Sequence, residues 1–132
     1  MKVLGLDIGG AHLKASLIEK NNNKLSLLDI DSFETPLWKG TDCLSKKLKV
    51  LKKDWKIKKS TEVCCTMTGE MADIFENRKS GVKLILNNLK KNFCSDINAY
   101  STKGFLEKSE IKKIIFLLLL RIGMQQHHLF QE

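Results

Sequence analysis

Apolar and polar positions alternate at the start of the chain with the period of two that β-strands show. An apolar run over residues 3–8 predicts a buried first strand, and the alternation from Leu13 to Leu17 predicts a second. A polar turn at residues 21–23 precedes a third strand, predicted over residues 25–33. The pattern therefore predicts that the domain opens with three antiparallel strands.

The apolar spacing becomes helical after Pro36, the only proline of the chain. Asp42 is expected to cap a helix, because its carboxylate can accept from the free amides of a first turn. The apolar positions of this helix are four, three and four residues apart and predict one buried stripe, formed by Leu44, Leu48, Leu51 and Trp55.

The second half of the chain alternates between strand and helix patterns. Residues 61–67 predict a strand parallel to the first, and residues 70–75 the start of a short helix. Residues 96–100 predict a further short strand. This order, after an antiparallel meander, favours a ribonuclease-H-like α/β domain with a mixed sheet and flanking helices. A longer helix before the last strand is predicted by Val82, Ile85, Leu86, Leu89 and Phe93.

The composition fits one compact domain that binds neither nucleic acid nor membrane. The chain has 132 residues, of which 42% are hydrophobic, and a formal net charge of +8. Such a charge can indicate a polyanionic partner, but aromatic residues make up only 7% and no nucleic-acid motif accompanies the lysines. The clusters over residues 46–59 mostly fall on the polar side of the first predicted helix, so we expect a solvated face.

The cysteines and the amino terminus predict a cytoplasmic protein. Cys43, Cys64, Cys65 and Cys94 lack the spacing of a metal site, and adjacent strand residues point to opposite faces. Reduced, mostly buried thiols are the expected state. Met1 and Lys2 lead directly into the first strand, which leaves no room for a signal peptide.

Candidate chemistry lies in the turn between the first two strands. Asp7 comes just before Gly9 and Gly10, and Lys14 follows in the second strand. Glycines allow a positive φ and let backbone amides approach a phosphate, while an aspartate beside them can hold Mg²⁺. The alternatives are a plain hairpin turn, an Asp7 that only bonds turn amides, and a Lys14 that faces solvent.

This turn resembles the first phosphate-binding hairpin of the sugar kinase, Hsp70 and actin superfamily. Residues 66–73 are similar to a segment of one hydantoinase/oxoprolinase-like branch, which is linked to tetrahydromethanopterin and methanofuran metabolism. The resemblance covers residues 1–110, although His12 stands where that branch usually has Asn.

The resemblance adds a second group of site residues. Thr68, Gly69 and Glu70 follow a strand end, where open α/β sheets bind ligands. The resemblance implies that Thr68 and Gly69 bind phosphate and that Glu70 is catalytic together with Asp7. Ordinary helix capping by Thr68 is the alternative.

Three functions remain open at this stage. The resemblance implies a transferase that joins an aminomethylfuran diphosphate to the phenol of γ-glutamyltyramine and releases pyrophosphate with the help of Mg²⁺. An alternative is a hydantoinase/oxoprolinase-like hydrolase or a sugar-kinase-like phosphotransferase, which would use the hairpin for ATP. The third is a chain that keeps the fold but has no activity of its own.

The last part of the chain differs in character from the rest. The apolar run over residues 114–120 is too short to span a bilayer. Read one frame along, codons allowed for residues 118–131 can encode an Ala-Asn-Trp-His segment typical of the same branch. We therefore expect residues 111–132 to be a frameshifted tail of a truncated protein. The chain would then form only the first of the two lobes of this superfamily. The exposed cleft face of this lobe would bind a chain that supplies the second lobe, or would self-associate.

Overall fold

The computed structural model describes residues 1–67, 76–94, 97–101 and 104–105. Alternating apolar residues form β1 (Lys2–Ile8), β2 (His12–Asn21) and β3 (Lys24–Glu34), followed by a 3-10 turn over Leu37–Lys39. The helical spacing beyond it forms α1 (Asp42–Asp54). The remaining elements are β4 (Glu62–Met67), α2 (Arg78–Phe93), β5 (Ile97–Ser101) and β6 (Gly104–Phe105).

These strands form one mixed sheet in the order β3-β2-β1-β4-β5-β6. β1 pairs with β2 and β2 with β3 in antiparallel fashion, which confirms the predicted meander. β4 runs parallel to β1, and β5 runs parallel to β4. α1 lies between β3 and β4 in the chain, and α2 lies between β4 and β5. The predicted α/β architecture is therefore confirmed.

The core lies on one side of this sheet. Successive residues of a strand face opposite sides, so Leu4, Leu6 and Ile8 share one face and Asp7 lies on the other. The three apolar side chains are fully buried. They pack in one cluster with residues from both helices: Leu44, Leu48, Leu51, Ile85, Leu89 and Phe93.

The predicted stripe of α1 is buried as expected, but its amino-terminal cap is different. The cap position is Thr41, whose side chain makes no capping bond, and Asp42 lies inside the first turn. There its negative charge interacts favourably with the positive amino-terminal end of the helix dipole. The helix ends in a Schellman motif, in which the amide of Ile57 donates to the carbonyl of Lys52 and Lys56 adopts a φ of 53°.

The longer predicted helix is α2, and its register is also confirmed. Asn77 caps it, because its side-chain oxygen accepts a 2.8 Å hydrogen bond from the amide of Ser80. Ile85, Leu89 and Phe93 are buried against the sheet. The helix ends at Cys94, which has the left-handed conformation with a φ of 50°.

Cys64 and Cys65 are buried on opposite faces of β4, and the four cysteines form no disulfide. In the part of the chain that the structure describes, no helix is long and apolar enough to cross a membrane. The predicted short helix at residues 70–75 and the tail from residue 111 lie outside the described residues.

The outer edge of the sheet carries exposed apolar side chains. On β3, Leu25, Leu27 and Ile30 are 41 to 48% exposed and take the register positions beside Lys20, Ile18 and Ser16 of β2. The register shifts between Leu17 and Ile18, and this irregularity allows the three side chains to share a face. An edge of this kind is open to pairing with another chain.

Candidate functional site

The turn between β1 and β2 is held in place through its carbonyl groups. The amide of Gly9 donates to the carbonyl of His12 over 3.0 Å and closes the turn. The carbonyls of Gly10 and Ala11 accept from the amides of Leu37 and Thr35, at 2.9 and 2.8 Å. The segment that follows β3 therefore fixes the position of the turn from outside the hairpin.

Two amides of the same turn remain available. No hydrogen bond to the amide of Gly10 or Ala11 is found among the described residues. A Cβ built on Gly10 would meet no heavy atom within 4 Å, so open space lies beside the backbone there. Backbone amides next to open space can receive an anion such as a phosphate group.

The positive φ expected at the two glycines of the turn is not observed. Neither Gly9 nor Gly10 has a positive φ, since Gly40 is the one described glycine that does. Because φ is not positive at Gly10, the turn does not need the left-handed conformation of a glycine at this position. What Gly10 provides is the absence of a side chain beside an open space.

Asp7 and Lys14 meet on the sheet face opposite the core. They are directly paired in the β1–β2 register, and Lys14 Nζ lies 3.5 Å from Asp7 Oδ2. Only 21% of the lysine side chain and 19% of the aspartate side chain is exposed. Burial raises the pKa of Asp7 above its ordinary value of 3.8, and the Lys14 ammonium only partly offsets this effect.

The pair belongs to a polar row that crosses four strands. Ser32 of β3 takes the position beside Lys14, and Thr66 of β4 takes the position beside Asp7. The Ser32 hydroxyl is buried and has no hydrogen-bond partner among the described residues, which is uncommon for a polar group inside a protein. The row of Ser32, Lys14, Asp7 and Thr66 is therefore suited to a polar ligand.

Thr66 and Ser32 belong to this row but were not predicted as site residues from the sequence. Thr66 could have been found from the parallel pairing of the first and fourth strands, which places it beside Asp7. Ser32 could not, because the register shift between Leu17 and Ile18 changes which residues of β3 face Lys14.

The metal predicted at Asp7 fits these residues only in a particular way. No group of three or more His, Cys, Asp or Glu side chains comes together within the described ranges. Mg²⁺ commonly uses one or two carboxylates together with substrate phosphates and water, and Asp7 supplies one carboxylate. Because Lys14 lies beside Oδ2, an ion here would depend on ligand phosphates for most of its coordination.

The second predicted group of site residues is only partly located. β4 ends at Met67, which pairs with Ile8 at the end of β1, so this strand ends next to the hairpin turn. Thr68, Gly69 and Glu70 follow Met67 but lie outside the described residues. His12, where the resembling branch usually has Asn, is the half-buried first residue of β2.

Comparison with known proteins gives one relative in sequence. No family model matches the chain. Over 112 residues it is 34% identical to (4-{4-[2-(gamma-L-glutamylamino)ethyl]phenoxymethyl}furan-2-yl)methanamine synthase of Methanocaldococcus jannaschii. The match covers 84% of this chain and 31% of the synthase, so the chain spans about a third of the length of that relative.

Two solved structures share the fold. An exopolyphosphatase from Cytophaga hutchinsonii matches 75% of this chain and 34% of its own, with a TM-score of 0.51 and 13% identity. RuvC of T. thermophilus, in complex with a Holliday junction, matches 78% of this chain and 66% of its own, with a TM-score of 0.51 and 15% identity. The chain thus has a ribonuclease-H-like fold and is a partial homologue of the M. jannaschii synthase.

Proposed function

We propose that this chain is the diphosphate-binding part of a transferase related to the methanofuran synthase. Its ligand would be an aminomethylfuran diphosphate, and its acceptor the phenol of γ-glutamyltyramine. The observation that carries the proposal is a pair of amides, those of Gly10 and Ala11, in the turn that leads into Lys14. Among the described residues these two amides have no hydrogen-bond acceptor. The 34% identity to the synthase supports the choice of substrate class.

The proposed reaction forms an aryl ether and releases pyrophosphate. The bond between the furylmethyl carbon and the diphosphate oxygen breaks, and its electron pair leaves with the diphosphate. The furan ring stabilises the resulting cation, which the phenol oxygen attacks as its proton is lost. The name of the M. jannaschii relative describes a product with this phenoxymethyl-furan linkage.

The hairpin residues would assist the departure of the diphosphate. The amides of Gly10 and Ala11 and the ammonium of Lys14 supply positive charge where negative charge accumulates on the leaving group. Asp7 pairs with Lys14 and would provide a carboxylate for Mg²⁺. When bound, that ion would neutralise part of the diphosphate charge. Thr68, Gly69 and Glu70 are proposed to complete the site, with Glu70 as a catalytic base.

Two parallel titrations test the substrate class. The chain is titrated with an aminomethylfuran diphosphate and with ATP, each in the presence of Mg²⁺, and inorganic phosphate and pyrophosphate are measured in parallel. We expect the furan diphosphate to bind more tightly than ATP and no phosphate to be released from ATP. Ether formation is expected only when the segment is part of a chain of the synthase's length.

Two results would overturn the proposal. If ATP binds more tightly and is converted to ADP and phosphate, the result supports the alternative, an ATP-dependent hydrolase or phosphotransferase. If neither compound binds to a chain whose circular dichroism shows the α/β fold, the hairpin is a structural turn and the chain has no activity of this kind.

A further inference from the structure

A basic groove lies between the carboxyl-terminal ends of α1 and α2. It is an open surface pocket of about 460 Å³, and we call it the lysine groove. Its residues come from both helices and the segment after α1, and they are Lys49, Lys52, Lys53, Ile57, Lys91 and Asn92. Four lysine side chains therefore line one open surface pocket.

The groove is partly preorganised. The Lys52 ammonium donates a 2.8 Å hydrogen bond to the carbonyl of Asn92, which joins the last turns of the two helices. Asn92 and Ile57 are 6% and 7% exposed, so the floor of the groove is buried. The Schellman motif places Ile57 by its bond to the carbonyl of Lys52.

Within the described ranges, no carboxylate paired with its lysines neutralises the positive charge of the groove. No carboxylate of a described residue forms an ion pair with any of its four lysines. The carboxyl-terminal ends of two helices supply roughly half a negative charge each, so about one of the four positive charges is compensated. An excess of roughly three charges remains, and a multivalent anion would remove it.

The groove lies away from the polar row of Asp7. It is formed by residues at the end of α2 that leads into β5, and β5 begins beside Val63 near the start of β4. Asp7, in contrast, pairs with Thr66 near the end of β4. The two regions therefore lie toward opposite ends of the sheet, and the groove is separate from the proposed transferase site.

We propose that the lysine groove binds a small oligophosphate anion. A charge excess close to that of pyrophosphate or tripolyphosphate favours a compact ligand over an extended polymer. Lysine ammonium groups bind phosphate as point charges and need no fixed bidentate geometry. The oligophosphate can be a free inorganic anion or the phosphate chain of a nucleotide.

Isothermal titration of the whole chain with tripolyphosphate, in EDTA and at constant ionic strength, tests this inference. The test variant is Lys49→Gln/Lys91→Gln, which keeps the Lys52 bond to Asn92. The control is Lys58→Gln/Lys59→Gln, which removes the same charge from two exposed lysines before β4. We expect the test variant to bind roughly a hundredfold more weakly and the control to bind about as well as the wild type, since each charged hydrogen bond is worth about tenfold.

The outcomes distinguish this site from the transferase site. Binding in EDTA that survives Gly10→Ala but is lost in the test variant supports the groove, whatever happens to the furan diphosphate. Tighter binding of ATP than of tripolyphosphate would identify the nucleotide as the source of the phosphates. Equal loss in both lysine variants, no binding at all, or binding of single-stranded RNA but not of tripolyphosphate would overturn the proposal.

Discussion

At the scale of single residues, Asp7 lies in an environment that disfavours its charge. Its carboxylate is largely buried beside Lys14, and burial outweighs the attraction of that ammonium, so its pKa is raised. A charge kept in an environment that disfavours it is typical of a functional position. The raised pKa makes the cost measurable, because it links the free energy of unfolding to pH.

Replacing Asp7 with Asn should make the chain more stable at neutral pH. In the wild type the folded state holds its proton above 3.8, where the unfolded state releases it, so stability falls as the pH rises through that range. The variant lacks this loss. Urea unfolding at several pH values should therefore show an advantage for Asp7→Asn that grows from about pH 4 and becomes constant above the raised pKa.

Lys14→Gln is the matched variant for this measurement. It removes the ammonium that lowers the pKa of Asp7, so the loss of stability with rising pH should extend further upward. The interpretation of Asp7 would be contradicted if Asp7→Asn became relatively less stable as the pH rose. That result would mean that the ion pair outweighs the cost of burial.

Gly10 can be tested by comparison with a second glycine. Because its φ is not positive and nothing lies within 4 Å of an added Cβ, Gly10→Ala should change the free energy of unfolding by no more than about 1 kcal/mol. Gly40 also has space, but its φ is 120°. Gly40→Ala should therefore cost more than about 1 kcal/mol. Chemical denaturation measures both, and a strongly destabilised Gly10→Ala would show that the turn itself requires glycine.

At the scale of single residues, the sequence could identify the hairpin but not its surroundings. The order of Asp7, Gly9, Gly10 and Lys14 was enough to predict a candidate phosphate site. It could not show that the turn carbonyls bond to Thr35 and Leu37, because those contacts bring together segments that are distant in the chain.

At the scale of elements, periodicity predicted most of the fold. The stripes of α1 and α2 and the alternation in β1 to β3 each bury one face, so their spacing records which side meets the core. The cap of α1 was predicted at Asp42, one residue beyond the observed Thr41. Both residue types are common caps, and composition alone does not decide between neighbours.

The helix stripe gives a direct test of the core. Leu48 is completely buried in α1, whereas Val50 on the same helix is 47% exposed. Leu48→Ala should reduce the free energy of unfolding by about 2–5 kcal/mol through lost contacts and a residual cavity. Val50→Ala should change it by about 0.5 kcal/mol or less. Similar losses in the two variants, measured by urea denaturation, would contradict the assigned helix face.

At the scale of the whole molecule, the sheet separates two regions of different chemistry. The polar row and the turn amides lie toward the end of β4 that is next to the hairpin, and the lysine groove lies toward its start. From the sequence we expected the lysines over residues 46–59 to form a solvated face. It could not show that Lys91 joins three of them, since this depends on how α1 packs against α2.

The most direct test of the central claim is a titration of the chain with pyrophosphate in Mg²⁺, compared between the wild type and Gly10→Ala. The groove variant Lys49→Gln/Lys91→Gln serves as the background for both, so that only the hairpin site is observed. The account predicts that the added methyl group weakens binding at least about tenfold, by blocking the approach to the turn amides while the fold remains stable. Equal affinity in the two proteins would show that the hairpin is not the diphosphate site.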